Sequence, residues 1–449
     1  MNKLNVCLIN DSFPPVIDGV ANAVTNYAEI IHREYGEATV VTPYYPGAND
    51  AAYAFPVVRY PSLDMTKLVG YRAGMPFSSQ VFRQLETAGF EIIHSHCPVT
   101  STVLARALRE RIHVPVVFTY HTKFDVDIAN AVRGELLRQS AAKILAQNIS
   151  ACDEVWVVSR GAGENLRKLG YEGDYTVMPN GVDFPRGRVD ESLIAQVTEG
   201  YDLPRDLPVF LFVGRMMWYK GIRIILDALK MLSDGGTDFR MVFVGAGGDK
   251  DEIVDYTESL GLSGKVLFSP AIRDRNQIRA WYCRANLFLF PSTFDTNGLV
   301  VREAAACGLA SVLVAGSCAA EDVTDGVSGF LIRERPESMV AKLRQILEQP
   351  EIMRRVGEGA QQEIYVSWEE AVERAYRRYF TVINNFRRGM YPERDKFSDE
   401  FFRGVANLLD ISNRGRKLQQ QVVQQFQDQI SAGAMSSYDS FMERMDRFL

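Results

Sequence analysis

No apolar run in this chain is long enough to cross a bilayer, and the opening hydrophobic stretch, Leu4 to Ile9, is too short for a secretory h-region. A soluble or peripheral protein of the cytoplasm is therefore expected. Positive charge is not in excess either. Fifty Lys and Arg stand against 56 Asp and Glu, a net charge of −6, so no nucleic-acid partner is expected. Cysteine is sparse, six residues without a C-x-x-C pair, and several lie inside apolar runs; reduced, buried thiols follow. A G-x-G-x-x-G fingerprint is missing, which argues against a dinucleotide cofactor. No Ser–His or Cys–His pairing stands out, so nothing suggests a protein nucleophile.

What is present is two rounds of strand–helix alternation. At 449 residues, 47% apolar and 24% charged, two or three domains are expected. Residues 1–190 read as short apolar, β-branched runs separated by amphipathic helices, the pattern of a parallel sheet buried on both faces. The region Pro185 to Pro208 interrupts the rhythm as a linker with one short helix. The alternation then restarts at Val209–Val213 and fills a second domain, 191–366. Two facing, doubly wound α/β domains follow, with ligands expected beyond the carboxyl ends of the strands. A helix over 367–390 and a helical C-terminal tail, 391–449, complete the chain. In the tail Leu418, Val422, Phe426 and Ile430 recur every fourth residue among glutamines. That narrow apolar stripe suits docking on the body or self-association.

The segment Phe290 to Ala304 carries the most chemistry. Asp295 follows the strand Leu287–Phe290, and Glu303 falls in a helix expected over Leu299–Cys307. Between them Asn297-Gly298 makes a tight turn, so amides and the positive helix end face one spot. Such a spot suits a ligand with both phosphate and hydroxyls, the amides taking the anion and the two acids accepting from hydroxyls. Gly214-Arg215 closes the strand Val209–Val213, and Lys220 stands five residues later at a helix start. Two fixed positive charges there suit a diphosphate and would stabilise charge growing on it as a sugar departs.

Weaker signals surround these. Asn10 to Val20 is a long loop ending in Gly19 before a helix, able to approach a phosphate. His121 ends the strand of Thr119-Tyr120-His121-Thr122 and is expected to point toward the ligand. Gly245 and Ile272 lie in loops whose backbone can read a nucleobase. His94-Ser95-His96 puts two imidazoles on one strand face, and Asp125-Val126-Asp127 is a D-x-D pair, yet neither gains a further ligand at supporting spacing; no metal is expected.

Taken together, Asp295-x7-Glu303, Gly214-Arg215 with Lys220-Gly221, Pro179-Asn180-Gly181-Val182-Asp183 and Ser367-Trp368 resemble retaining glycosyltransferases of family 4 over about residues 1–390. That resemblance implies the GT-B fold of two Rossmann-like domains, residues 1–190 serving the acceptor and 191–366 the nucleotide-sugar donor. It implies that Arg215 and Lys220 bind the diphosphate, Asp295 and His121 the donor sugar, and Glu303 the ribose. Gly19, Gly214, Gly245, Ile272, Asn297, Gly298 and Leu299 would complete the donor site. The helix 367–390 would cross back onto the first domain. Three departures are visible: Asp295 where the family has Glu, Tyr219 before the lysine where it has Glu, and Asp18-Gly19 where it has two glycines. Asp295-Thr296-Asn297-Gly298-Leu299, together with Thr119-Tyr120-His121-Thr122 and Gly70 to Phe77, is similar to the diacylglycerol glucosyltransferases. This implies a hexose moved from UDP-glucose to a lipid hydroxyl at the cytosolic membrane face, without metal or tightly bound cofactor. Leu63, Met65, Leu68 and Val69, with Lys67 and Arg72, suit either an interfacial patch or a buried loop over the acceptor side of the cleft. A mannosyltransferase using GDP-mannose, a nucleotide-sugar epimerase, a pyridoxal-phosphate-dependent glucan phosphorylase and a non-catalytic scaffold are the competing readings.

Overall fold

A computed structural model describes residues 3–16, 18–64, 72–76, 78–122, 124 and 135–391. The expected tail helix, the Asp125/Asp127 pair and most of the proposed interfacial patch lie outside these residues.

The described residues divide into two units: those up to Val157 with Gly163–Val177 and those from Arg374 onward, and Val158–Ala162 with Met178–Glu373. Each holds a parallel sheet. In the first the strands are β1 (Asn5–Ile9), β2 (Glu37–Pro43), β3 (Val57–Tyr60), β6 (Ile92–Ser95), β7 (Val116–Tyr120), β8 (Glu154–Val157) and β9 (Thr176–Val177), ordered β3-β2-β1-β6-β7-β8-β9. The remaining pair, β4 (Ser62–Asp64) and β5 (Arg72–Gly74), forms a separate antiparallel hairpin that the sequence pattern does not announce. In the second unit β10 (Val209–Val213), β11 (Arg240–Val244), β12 (Val266–Ser269), β13 (Leu287–Phe290), β14 (Ser311–Val314) and β15 (Phe330–Ile332) are ordered β12-β11-β10-β13-β14-β15.

The second sheet explains its own sequence. All five side chains of β10 and all four of β13 and β14 are buried, because helices cover both faces; hence these strands read as unbroken apolar runs. Strand order reverses at β10, which pairs β11 on one side and β13 on the other. The loops leaving β10 and β13 start at this reversal, at the carboxyl edge where open α/β sheets take their ligands.

One stretch differs from the sequence reading. The segment read as a linker packs on the second unit: Arg279 donates to Pro185 O and Gly187 O, Arg284 to Leu203 O, and Ile194 is buried. The helix expected over 367–390 spans Trp368–Arg387 and follows a separate helix, Glu351–Glu363. Ser367 starts the former through a capping box, its Oγ accepting from Glu370 N (3.1 Å) while the Glu370 carboxylate accepts from Ser367 N (3.2 Å). This helix begins among residues of the second unit and ends among those of the first.

Candidate active site

In the second unit the loop after β10 runs Gly214 to Gly221, and the loop after β13 runs Pro291 to Gly298. Their charged residues meet. Lys220 Nζ lies 3.1 Å from Asp295 Oδ2, with the two side chains 12% and 20% exposed. Tyr219, where the resembled family carries Glu, packs edge-on against Phe294 with ring centroids 4.7 Å apart, tying the two loops together. Lys220 Nζ also lies 5.7 Å from the centroid of Phe290. Arg215, on the same loop, is exposed, and its guanidinium makes no hydrogen bond or ion pair among the described residues, while its carbonyl accepts from Met217 N (2.9 Å). One cation is therefore held by an acid, while the other is open to an incoming anion.

Asp295 does more than expected. Its Oδ1 accepts from Gly298 N (2.8 Å) and Asn297 N (3.3 Å), closing the turn that precedes the helix Leu299–Ala306. Burial alone would raise its carboxyl, yet the Lys220 charge and these two amides outweigh burial and hold it below the usual value. This corrects one part of the sequence reading. The Asn297 and Gly298 amides are spent on Asp295, so the amides left for an anion at this helix start are those of Leu299 and Val300. Gly298 caps the helix at φ 58°, and a Cβ there would stand 2.9 Å from Ala319 Cα, so both conformation and space demand glycine. The Asn297 side chain is 7% exposed, and neither of its polar atoms has a partner.

Glu303 sits one turn along this helix and is 8% exposed, far from a solvated surface acid. Arg275 Nη2 lies 2.6 Å from its Oε1, and the Tyr282 hydroxyl donates to its Oε2 at 3.1 Å. Burial raises the Glu303 carboxyl above the ordinary glutamate value, and the Arg275 charge together with both hydrogen bonds opposes that rise. Arg275 and Tyr282 were not foreseen. The only signal was Asp274, whose carboxylate caps the helix Arg275–Arg284 by accepting from Asn276 N and Gln277 N.

Among the glycines, Gly214 N bonds Val244 O and Gly245 N bonds Ser269 O, extending the sheet by one residue at β10 and β11. A Cβ on Gly245 would stand 2.0 Å from Gly214 O, which requires glycine. Its amide is thereby engaged, which leaves its carbonyl as the backbone atom a base could meet. Ile272 fits that role better: its side chain packs on the core, while its backbone N–H and C=O have no protein partner among the described residues.

The first unit carries the remaining candidates. His121 follows β7 and is 6% exposed. Its Nε2 lies 2.9 Å from His96 Nδ1 and the rings stack, while burial lowers it to about 3, so it is neutral near pH 7. His94 is fixed between Tyr379 Oη (2.7 Å) and Thr119 Oγ1 (2.6 Å). These imidazoles are thus bound into a side-chain network, and among the described residues no group of three His, Cys, Asp or Glu is arranged to hold a metal ion. Gly19 begins the helix Gly19–Ile30, but Asp18 caps it, accepting from Val20 N (2.9 Å) and Ala21 N (2.7 Å). Two amides expected for a phosphate already serve a carboxylate. Space beside Gly19 is open, with nothing within 4 Å of the position of a Cβ.

A family model described as "Glycosyltransferase Family 4" matches residues 17–186, and one described as "Glycosyl transferases group 1" matches residues 197–363. The chain belongs to glycosyltransferase family 4. Among curated proteins it is 23% identical over 373 residues to the alpha-monoglucosyldiacylglycerol synthase of Acholeplasma laidlawii, covering 80% of this chain and 92% of that one. It is 30% identical over 255 residues to the D-inositol 3-phosphate glycosyltransferase of Xylanimonas cellulosilytica, covering 54% and 60%. In fold it is similar to the sucrose-phosphate synthase of Thermosynechococcus elongatus (TM-score 0.67, 20% identity, 84% of this chain and all of that one). It is equally similar to Anabaena HepE in complex with UDP (TM-score 0.67, 18% identity, 84% and 100%). The two parallel-sheet units are those of the GT-B glycosyltransferases, and the protein is a glycosyltransferase.

Proposed function

We propose that the chain transfers a hexose, glucose from UDP-glucose, to a lipid hydroxyl such as that of diacylglycerol, with retention at the anomeric carbon. The observation that carries this is the Lys220–Asp295 contact, which joins the loops after β10 and β13 at the point where the strand order reverses. A diphosphate fits between Arg215, Lys220 and the Leu299 and Val300 amides. The sugar then lies by Asp295, the ribose by Glu303, and the base along Ile272, with Gly214, Gly245, Asn297 and Gly298 shaping the surrounding backbone; His121 and Gly19 are the first unit's residues that the family resemblance assigns to the donor.

In this reading the departing phosphate oxygen takes the acceptor proton as the acceptor attacks from the same face. Arg215 and Lys220 stabilise the charge that builds on the diphosphate, a role a divalent ion fills in other transferases, so the reaction proceeds without metal.

Two findings favour a lipid acceptor. One is the similarity to a protein named alpha-monoglucosyldiacylglycerol synthase along nearly its whole length. The other is a set of exposed apolar side chains around the β4–β5 hairpin: Tyr44 (51% exposed), Leu63 (56%) and Met75 (49%). Met75 N bonds Pro61 O and the Ser62 hydroxyl bonds Tyr44 O, so these residues are neighbours. No described helix is long and apolar enough to cross a membrane. A surface patch of this kind would bring the enzyme to the cytosolic leaflet.

The test is incubation with UDP-glucose, UDP-galactose or GDP-mannose, each with diacylglycerol in mixed micelles or with soluble sugar acceptors. An α-glucosyl lipid from UDP-glucose is the expected product. Product from a soluble acceptor alone would overturn the lipid assignment.

A further inference from the structure

Glu303 is not simply a buried acid; it is clamped. Arg275 holds Oε1 at 2.6 Å and Tyr282 holds Oε2 at 3.1 Å, both from the helix Arg275–Arg284. The clamp is itself braced. The Arg275 guanidinium lies 4.4 Å from the centroid of Phe184 and 3.8 Å from Asp183 Oδ2, and the Phe184 ring packs edge-on against Tyr282 at 5.7 Å. An ionised carboxylate has about four acceptor positions, and the clamp uses two, one on each oxygen. Burial works against the charged form of Glu303, and Arg275 is the cation that works for it. Arg275 is half-exposed and directly follows Ala271–Asp274, the loop with the open Ile272 backbone.

We propose that Arg275 and Tyr282 are positioning residues that hold Glu303 as a fixed, ionised double acceptor, and so make the donor site select ribonucleotides over deoxyribonucleotides. This rests on the reading of Glu303 as the ribose acceptor. A vicinal diol donates two hydrogen bonds, and it gains most when both acceptor atoms are already charged and aimed. A ligand lacking one hydroxyl leaves a buried charged acceptor unpaired, which is where discrimination arises. Without Arg275, Oε1 loses its partner while Tyr282 still holds Oε2, and burial pushes the carboxyl further above the ordinary glutamate value, toward the form that accepts less well.

The experiment measures binding of UDP, 2′-deoxy-UDP and 3′-deoxy-UDP, with GDP and its deoxy forms in parallel, by calorimetry. Proteins are the wild type, Arg275→Met, Arg275→Lys and Tyr282→Phe, each checked for folding by thermal unfolding. Wild type is expected to prefer the ribonucleotide about ten- to a hundred-fold, the worth of one hydrogen bond to a charged group. In Arg275→Met that preference shrinks to within about threefold, because ribonucleotide binding weakens while deoxynucleotide binding does not. Arg275→Lys restores part of it, and Tyr282→Phe loses part. Equal weakening of both nucleotides, or a preference that survives in folded Arg275→Met, overturns the inference while leaving Glu303 as the ribose acceptor. No preference in the wild type overturns that reading of Glu303, and the inference with it.

Discussion

Replacing Lys220 with Met removes the charge and keeps most of the apolar stem. Its effects divide into a stability part and a catalytic part. In the folded protein the change strips Asp295 Oδ2 of its ion pair, while Oδ1 keeps the Gly298 and Asn297 amides. Breaking a fully buried pair costs about 3–5 kcal/mol because the remaining charge is stranded. Here Asp295 is 20% exposed and retains two amide donors, so a loss of about 1–2 kcal/mol is expected. The Asp295 carboxyl should also rise, since the Lys220 charge is the largest influence holding it down against burial. In the reaction the lysine is needed when charge builds on the departing diphosphate, and losing one such donor typically lowers kcat about 10²- to 10³-fold. Denaturant unfolding measures the first part and initial rates the second. Adding Asp295→Asn separates them, because the double variant no longer strands a charge. Stability is expected to return to within about 1 kcal/mol of wild type while kcat stays low. If Lys220→Met keeps its kcat, or if the double variant recovers activity along with stability, the assignment of Lys220 to the diphosphate is wrong.

Other outcomes follow from the same geometry. Asp295→Glu restores the acid usual in the resembled family, but its extra methylene displaces the carboxylate from the Asn297 and Gly298 amides; a loss of about 1 kcal/mol in denaturant stability and reduced kcat are expected. Ser367→Ala removes half of the capping box and should cost about 1 kcal/mol, measured in the same way, with KM for the donor unchanged. His94, His96 and His121 are all lowered chiefly by burial and stay neutral when folded, whereas in the unfolded chain they bind protons below about 6.5. Stability should therefore be full above that value and fall as pH drops, each histidine contributing up to about 1.4 kcal/mol per pH unit. Equal stability at pH 7 and pH 5 would contradict their burial as neutral groups.

How far these features could be read from sequence depended on the distance between partners. β10 and β13 were plain because burial on both faces leaves unbroken apolar runs. The turn at Asn297-Gly298 was plain because its residues suit it locally. Asp295 and Lys220 were each visible as charges at strand ends, but their contact joins residues 75 positions apart, which no local pattern encodes. Asp18 before Gly19-Val20 is a capping residue by type; a glycine at a helix start also suits a phosphate, and in the fold the capping carboxylate takes the amides. Arg275 was hidden because Arg273-Asp274-Arg275 reads as an exposed, charged helix start, and only tertiary packing turns one of those arginines onto Glu303. The β4–β5 hairpin was missed because three-residue strands show no alternation that separates them from a loop.

The most direct test of the account is a crystal structure of the protein with UDP. The account predicts the diphosphate within hydrogen-bonding distance of Arg215, Lys220 and the Leu299 and Val300 amides, with the ribose hydroxyls on Glu303. A nucleotide bound elsewhere, or bound there with Lys220 and Glu303 untouched, would contradict it.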